Sequence, residues 1–118
     1  MPERNILVVL AEIEQAMDGI ENAAKGKSLD DFVNDWLLKR GIERGLEIIS
    51  EACRHIPDEM LGLVPEIRWK QIRGIGNVFR HEYHKISEPI VWNVVKDDLP
   101  PLRQALRRIR NAIALRED

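Results

Sequence analysis

The chain has 118 residues, 44% of them hydrophobic and 32% charged, with a formal net charge of −2 at pH 7. Those values describe one folded domain, 1–118, and exclude a disordered chain. The near-neutral balance gives no general attraction to nucleic acid, so any RNA or DNA contact has to come from a local basic surface.

The longest apolar run near the start is "ILVVLA", residues 6 to 11, with Glu12 and Glu14 close behind. It is too short for a membrane span and has no basic leader before it, so the expectation is a soluble cytoplasmic protein with no membrane attachment. The one cysteine, Cys53, excludes an internal disulfide and a cysteine-based zinc site, and fits a reducing compartment.

Ile6, Leu10, Ile13, Met17, Ile20 and Ala24 recur every three or four residues, which predicts an amphipathic helix from about Asn5 to about Lys25. Ser28 reads as the next N-cap, with Asp31 three residues on closing a capping box. A second helix follows through Leu29, Phe32, Val33 and Trp36, then Ile42, Leu46, Ile49, Cys53 and Ile56, and Pro57 ends it. Its apolar stripe changes phase near Gly41, which predicts either a bend or a helix that buries two faces, one against a partner. "PDEMLGLVPEI" is a connector with room for one loose turn.

A third helix should begin between Pro65 and Trp69 and run to about His84. Ser87 and Pro89 mark a further helix start. The final helical region carries Val91, Val95, Leu99, Leu102, Leu106, Ile109 and Ile113, with Pro100 and Pro101 predicting a kink or break near Asp97–Pro101. No segment alternates with period two, so the fold class is an all-α, up-and-down bundle of four to five helices.

The third helix holds the densest chemistry. At about 100° per residue, Arg73, Asn77, Arg80, His81 and His84 fall within one arc of roughly 100°. Ile72, Ile75, Phe79 and Ile86 take the opposite side, with Tyr83 at their edge. The bland reading is the solvated face of a surface helix. Against it, asparagine and histidine are weak helix formers for an idle face, and the arc contains no acid to pair with its cations. The set suits phosphodiester chemistry: histidine can move a proton at neutral pH, and arginine can hold phosphate oxygens and stabilise a phosphorane. Two histidines three apart could share a metal, but no Asp or Cys joins them. The reading is therefore no metal site and no cofactor.

Outside this arc, the last helix carries Arg103, Arg107, Arg108, Arg110 and Arg116. They fit either an RNA backbone or acidic partner surface, or a basic helix that complements its own dipole and the chain's acids. His55 reads as a helix C-terminal residue, Cys53 as a buried structural thiol, and Trp36, Trp69 and Trp92 as core or interface anchors. Glu51 and Arg54 lie on the polar side of the second helix, with no role assigned.

"RGIERGLEIISEAC", "PEIRWKQIRGIGN", "GIGNVFRHEYHKI" and "IVWNVVKDDLPPL" together resemble the HepT-like family of HEPN-domain ribonuclease toxins, over nearly the whole chain. The resemblance implies a HEPN-like homodimer with the active cleft between protomers, and metal-independent cleavage of RNA. It also implies a minimal nucleotidyltransferase antitoxin as partner, which in some members transfers AMP to the motif tyrosine.

The family's motif is an arginine, four to six residues, a histidine and a tyrosine two residues later. His81 matches the histidine, Tyr83 the tyrosine and AMP acceptor, and Asn77 the polar residue after the arginine. The arginine's own place is Gly76. The cation would then come from Arg80, or less directly Arg73, with His84 helping to bind substrate. The alternative is a catalytically inactive HEPN-like module that serves as scaffold for a nucleotidyltransferase.

Overall fold

The computed structural model describes residues 5–81 and 88–117, with 77–81 and 116–117 described in backbone only. Helix α1 spans Ile6–Ala24 and is started by Asn5, whose Oδ1 accepts from the Leu7 N–H at 2.8 Å. Its buried stripe is Val9, Leu10, Ile13, Met17, Ile20 and Ala24, the predicted face widened by Val9. Gly26, with φ 73°, turns the chain out of it.

Ser28 and Asp31 form the predicted capping box. The Asp31 N–H donates to Ser28 Oγ at 3.2 Å, and the Ser28 N–H to Asp31 Oδ2 at 2.9 Å. The backbone and hydroxyl donors of Ser28 hold the Asp31 carboxyl below its ordinary pKa.

The second helix is not continuous. It divides at Asp35 into α2, Leu29–Asn34, and α3, Trp36–Cys53. Asp35 is extended, and its Oδ1 accepts from the Leu38 N–H at 3.0 Å, so it ends one helix and caps the next. The phase change in the apolar stripe comes from this break, while Gly41 lies inside α3 with open space around it. The connector holds its one turn as α4, Asp58–Leu61, and α5 runs Trp69–His81. The predicted continuation to His84, and the Ser87 cap, lie outside the described residues.

After α6, Glu88–Asn93, the chain passes through a π-helical turn, Val94–Asp98, straight into α7, Leu99–Glu117. The kink predicted from the prolines takes this form. Pro100 and Pro101 occupy the first turn of α7, directly after the wide turn, which accommodates two residues unable to donate to the carbonyls behind them.

Helix α3 is the centre of the bundle, packed on α1 along one side and α5 along the other, with α7 against α1. Gly45 lets α1 come close: a Cβ there would meet the Ile20 side chain at 2.7 Å. The core is aliphatic, built on Leu10, Ile13, Met17, Ile42, Leu102, Leu106 and Ile109. Phe32 packs its ring on Trp92 at 5.2 Å, joining α2 to α6. Trp69 and Trp92 are core residues as predicted, whereas Trp36 is 68% exposed and Leu37 beside it 74%. Asp35 turns the first residues of α3 outward, and the Arg40 guanidinium lies over the Trp36 ring at 6.0 Å.

Candidate functional site

Helix α5 begins where Trp69 is pinned, its indole N–H donating to the Val64 carbonyl at 3.2 Å. From there to His81 the backbone is helical. Arg73, Asn77, Arg80 and His81 therefore occupy successive turns of one helix, at the spacing that shares a face. The side chains of Asn77, Arg80 and His81 are not among those described, and Tyr83 and His84 lie outside the described residues.

Arg73 has a defined engagement. Its Nη2 donates to the Ile56 carbonyl at 3.0 Å and its Nε to the Cys53 carbonyl at 3.3 Å, with the exposed Asp58 carboxylate 3.7 Å from Nη1. The Cys53 carbonyl ends α3 and also accepts from the Ile56 N–H at 3.2 Å, and Ile56 lies just past the helix, at the end where its dipole is negative. As a phosphate ligand, Arg73 would have to leave both carbonyls.

The same turn of α5 is held from the other direction. The Arg73 carbonyl accepts from Ser50 Oγ at 2.9 Å and from Arg54 Nε and Nη2 at 3.2 and 3.1 Å. The Gly76 N–H donates to Ser50 Oγ at 3.1 Å. A Cβ at position 76 would stand 3.2 Å from that oxygen, tighter than an ordinary contact. The place where the motif has its arginine is thus a close crossing between α5 and α3, buried and occupied by a serine hydroxyl. Farther along α3, Lys39 Nζ meets Glu88 Oε2 at 2.8 Å, which ties the start of α6 to that helix.

Sequence reasoning passed over Ser50 and left Arg54 without a role. The available signal was a small polar residue beside the apolar positions Ile49 and Cys53. A serine there is buried only with both hydrogen-bonding capacities met.

Behind the apolar side of α5 lies a cleft of about 370 Å³, with Leu46, Ile49, Ile72, Ile75, Val94 and Leu102 among its lining. It is on the face opposite the polar arc; its walls are mostly aliphatic, with Glu66, Arg68 and Asp98 also in its lining. Burial pushes the Cys53 thiol up to about 12, against the opposing pull of the Arg73 charge, which keeps it a protonated packing residue. His55 sits past the end of α3, 3.8 Å from Glu51.

The arginines of α7 mostly face acids of their own chain. Arg103 pairs with Asp18 at 2.8 Å and Glu21 at 3.1 Å, Arg110 with Glu14, and Arg108 with Glu66 and the Leu63 carbonyl. Of the two readings of that helix, this supports the one in which it offsets the acids of α1 and the connector. Among the described residues, no three His, Cys, Asp or Glu side chains are grouped to hold a metal ion, and no helix is long and apolar enough to cross a membrane.

Comparison with known proteins adds the lineage. A family model described as "Ribonuclease HepT-like" matches residues 13–109. A "Putative RNase" of Caldanaerobacter subterraneus is 33% identical over 100 residues, covering 85% of this chain and 89% of the relative. A "Probable ribonuclease HepT" of Thermococcus cleftensis is 31% identical over 101 residues, 86% of this chain and 92% of the relative. A "Putative RNase" of Methanocaldococcus jannaschii is 30% identical over 109 residues, 92% and 90% of the two chains. No solved structure matches. With a helical bundle of this form and a match from α1 to α7, the chain belongs to the ribonuclease HepT-like family.

Proposed function

We propose that this chain is the toxin component of a toxin–antitoxin pair, a homodimeric endoribonuclease that cleaves RNA without a metal. The observation that carries the reading is the family match across 13–109 together with α5, whose consecutive turns hold Asn77, Arg80 and His81. In the reaction, His81 takes the proton of a ribose 2′-hydroxyl as its oxygen attacks the adjacent phosphorus. Arg80 stabilises the negatively charged phosphorane, and Asn77 and His84 orient the strand. The 5′-oxygen then leaves with the proton that His81 gives back, and a 2′,3′-cyclic phosphate remains on the upstream fragment. Since Arg73 is engaged on α3, Arg80 takes the cation's role. Tyr83 is the acceptor of AMP from a minimal nucleotidyltransferase antitoxin, which silences the enzyme.

A second reading is supported by Gly76, where the motif cation is replaced by a buried contact with Ser50. In it the chain is a catalytically inactive scaffold for the nucleotidyltransferase. Incubating purified protein with RNA in EDTA separates the two. Cleavage by the wild type that His81→Ala abolishes supports the enzyme. RNA left intact by both proteins removes it in favour of the scaffold. Co-expression with a minimal nucleotidyltransferase, if one is encoded beside this chain, should add the mass of AMP, and Tyr83→Phe should prevent it; an unmodified wild type refutes that part.

A further inference from the structure

Ser50 is 1% exposed, in the contact between α3 and α5. Its hydroxyl donates to the Arg73 carbonyl and accepts from the Gly76 N–H, two backbone groups of a single turn of α5. Arg54, from the end of α3, adds two more donors to the same carbonyl. All four bonds run from side chains of α3 to the main chain of α5. Aliphatic contacts such as those of Ile49 with α5 tolerate sliding and rotation, whereas hydrogen bonds are directional and fix both. Glycine at 76 allows the approach, because a Cβ would crowd the Ser50 oxygen.

Asn77 is the next residue after this turn, and Arg80 and His81 follow within five. At 1.5 Å per residue, a tilt of about 8° at Gly76 displaces the backbone at His81 by about 1 Å. A displacement of that size at a reacting group is enough to cost one to two orders of magnitude in rate.

We infer that Ser50, assisted by Arg54, is a positioning residue for the reactive face of α5: its hydroxyl clips the Arg73–Gly76 turn to α3 and so sets where Asn77, Arg80 and His81 stand. This rests on the ribonuclease reading of that face. It also gives position 76 a purpose in this chain, as the contact point that aims the helix.

The test uses the full chain and the variants Ser50→Ala and Arg54→Met. The second removes surface donors and leaves the core untouched. Ser28→Ala, remote from α5, serves as a control for lost stability alone. RNA cleavage in EDTA is measured for kcat and KM, and the amide signals of 77–81 are followed by NMR. Ser50→Ala should lower kcat about tenfold with KM within about twofold, and Arg54→Met should act in the same direction and less. Both should move the 77–81 amide signals, and Ser28→Ala should change neither. Wild-type kcat in both variants, or unmoved signals, overturns the inference. If the wild type itself does not cleave, the ribonuclease reading fails. The amide signals then decide the clip, moved signals upholding its hold on α5 and unmoved ones refuting it.

Discussion

Arg73 offers the sharpest division between a structural and a catalytic cation. Replacing it by Gln removes the hydrogen bonds to the Cys53 and Ile56 carbonyls but keeps most of the side-chain stem. Charged donors on carbonyls contribute roughly 1.5–3 kcal/mol each when shielded. The Arg73 side chain is 29% exposed, and water can reach the freed carbonyls, so about 2 kcal/mol for the two together is the reasonable figure. The ion pair with Asp58, at 3.7 Å and with the acid almost fully exposed, adds nothing measurable. For a domain of this length about 2 kcal/mol lowers Tm by about 8 °C. Urea and thermal unfolding should show that loss, while RNA cleavage at 20 °C, where the variant is still folded, should stay within about threefold of wild type. Undiminished stability with cleavage lost by a hundredfold or more would refute the reasoning and make Arg73 a substrate ligand.

Two further outcomes follow from the core. With its folded pKa raised from 9.0 to about 12 by burial, Cys53 keeps its proton where an unfolded thiol would lose it. The stability linked to it is therefore whole below about pH 9 and is lost as pH rises towards about 12, by as much as about 4 kcal/mol. Native protein at pH 8 should resist a thiol reagent that reacts at once in urea. Rapid native labelling, or no alkaline loss of stability beyond that of Cys53→Ala, would contradict the assignment. Gly45→Ala gains about 1 kcal/mol in helix propensity but drives a methyl into the buried Ile20 side chain, at a cost of about 1–3 kcal/mol. Denaturant unfolding should show a net loss that Ile20→Val relieves in the double variant. A Gly45→Ala protein more stable than wild type would show that α1 and α3 are not closely packed there.

Much of the fold is legible in the chain because it is encoded over short distances. The three-to-four-residue stripe of α1, the capping box of Ser28 and Asp31, and the turn after Pro57 each involve residues within one or two turns of each other. The break at Asp35 was equally local, yet the apolar stripe put its phase change near Gly41, inside α3. An aspartate reads as a polar face position until its backbone is seen to be extended. The exposure of Trp36 follows from that break and was concealed with it.

The polar arc was likewise legible as a pattern, since helical spacing alone assigns Arg73, Asn77, Arg80 and His81 to one side of α5. What that pattern does not contain is the partner of each side chain. Arg73 meets carbonyls of residues 53 and 56, Gly76 meets Ser50, and the arginines of α7 meet Asp18, Glu21 and Glu14 of α1. The sequence by itself determined a helical bundle, its caps and a helix face rich in proton-transfer and phosphate-binding groups, because periodicity and capping act between near neighbours. Only the tertiary structure decided that one of those cations clasps α3 and that the motif's arginine position is a helix crossing. Both depend on how far apart two helices lie in space, a distance that spacing along the chain does not record.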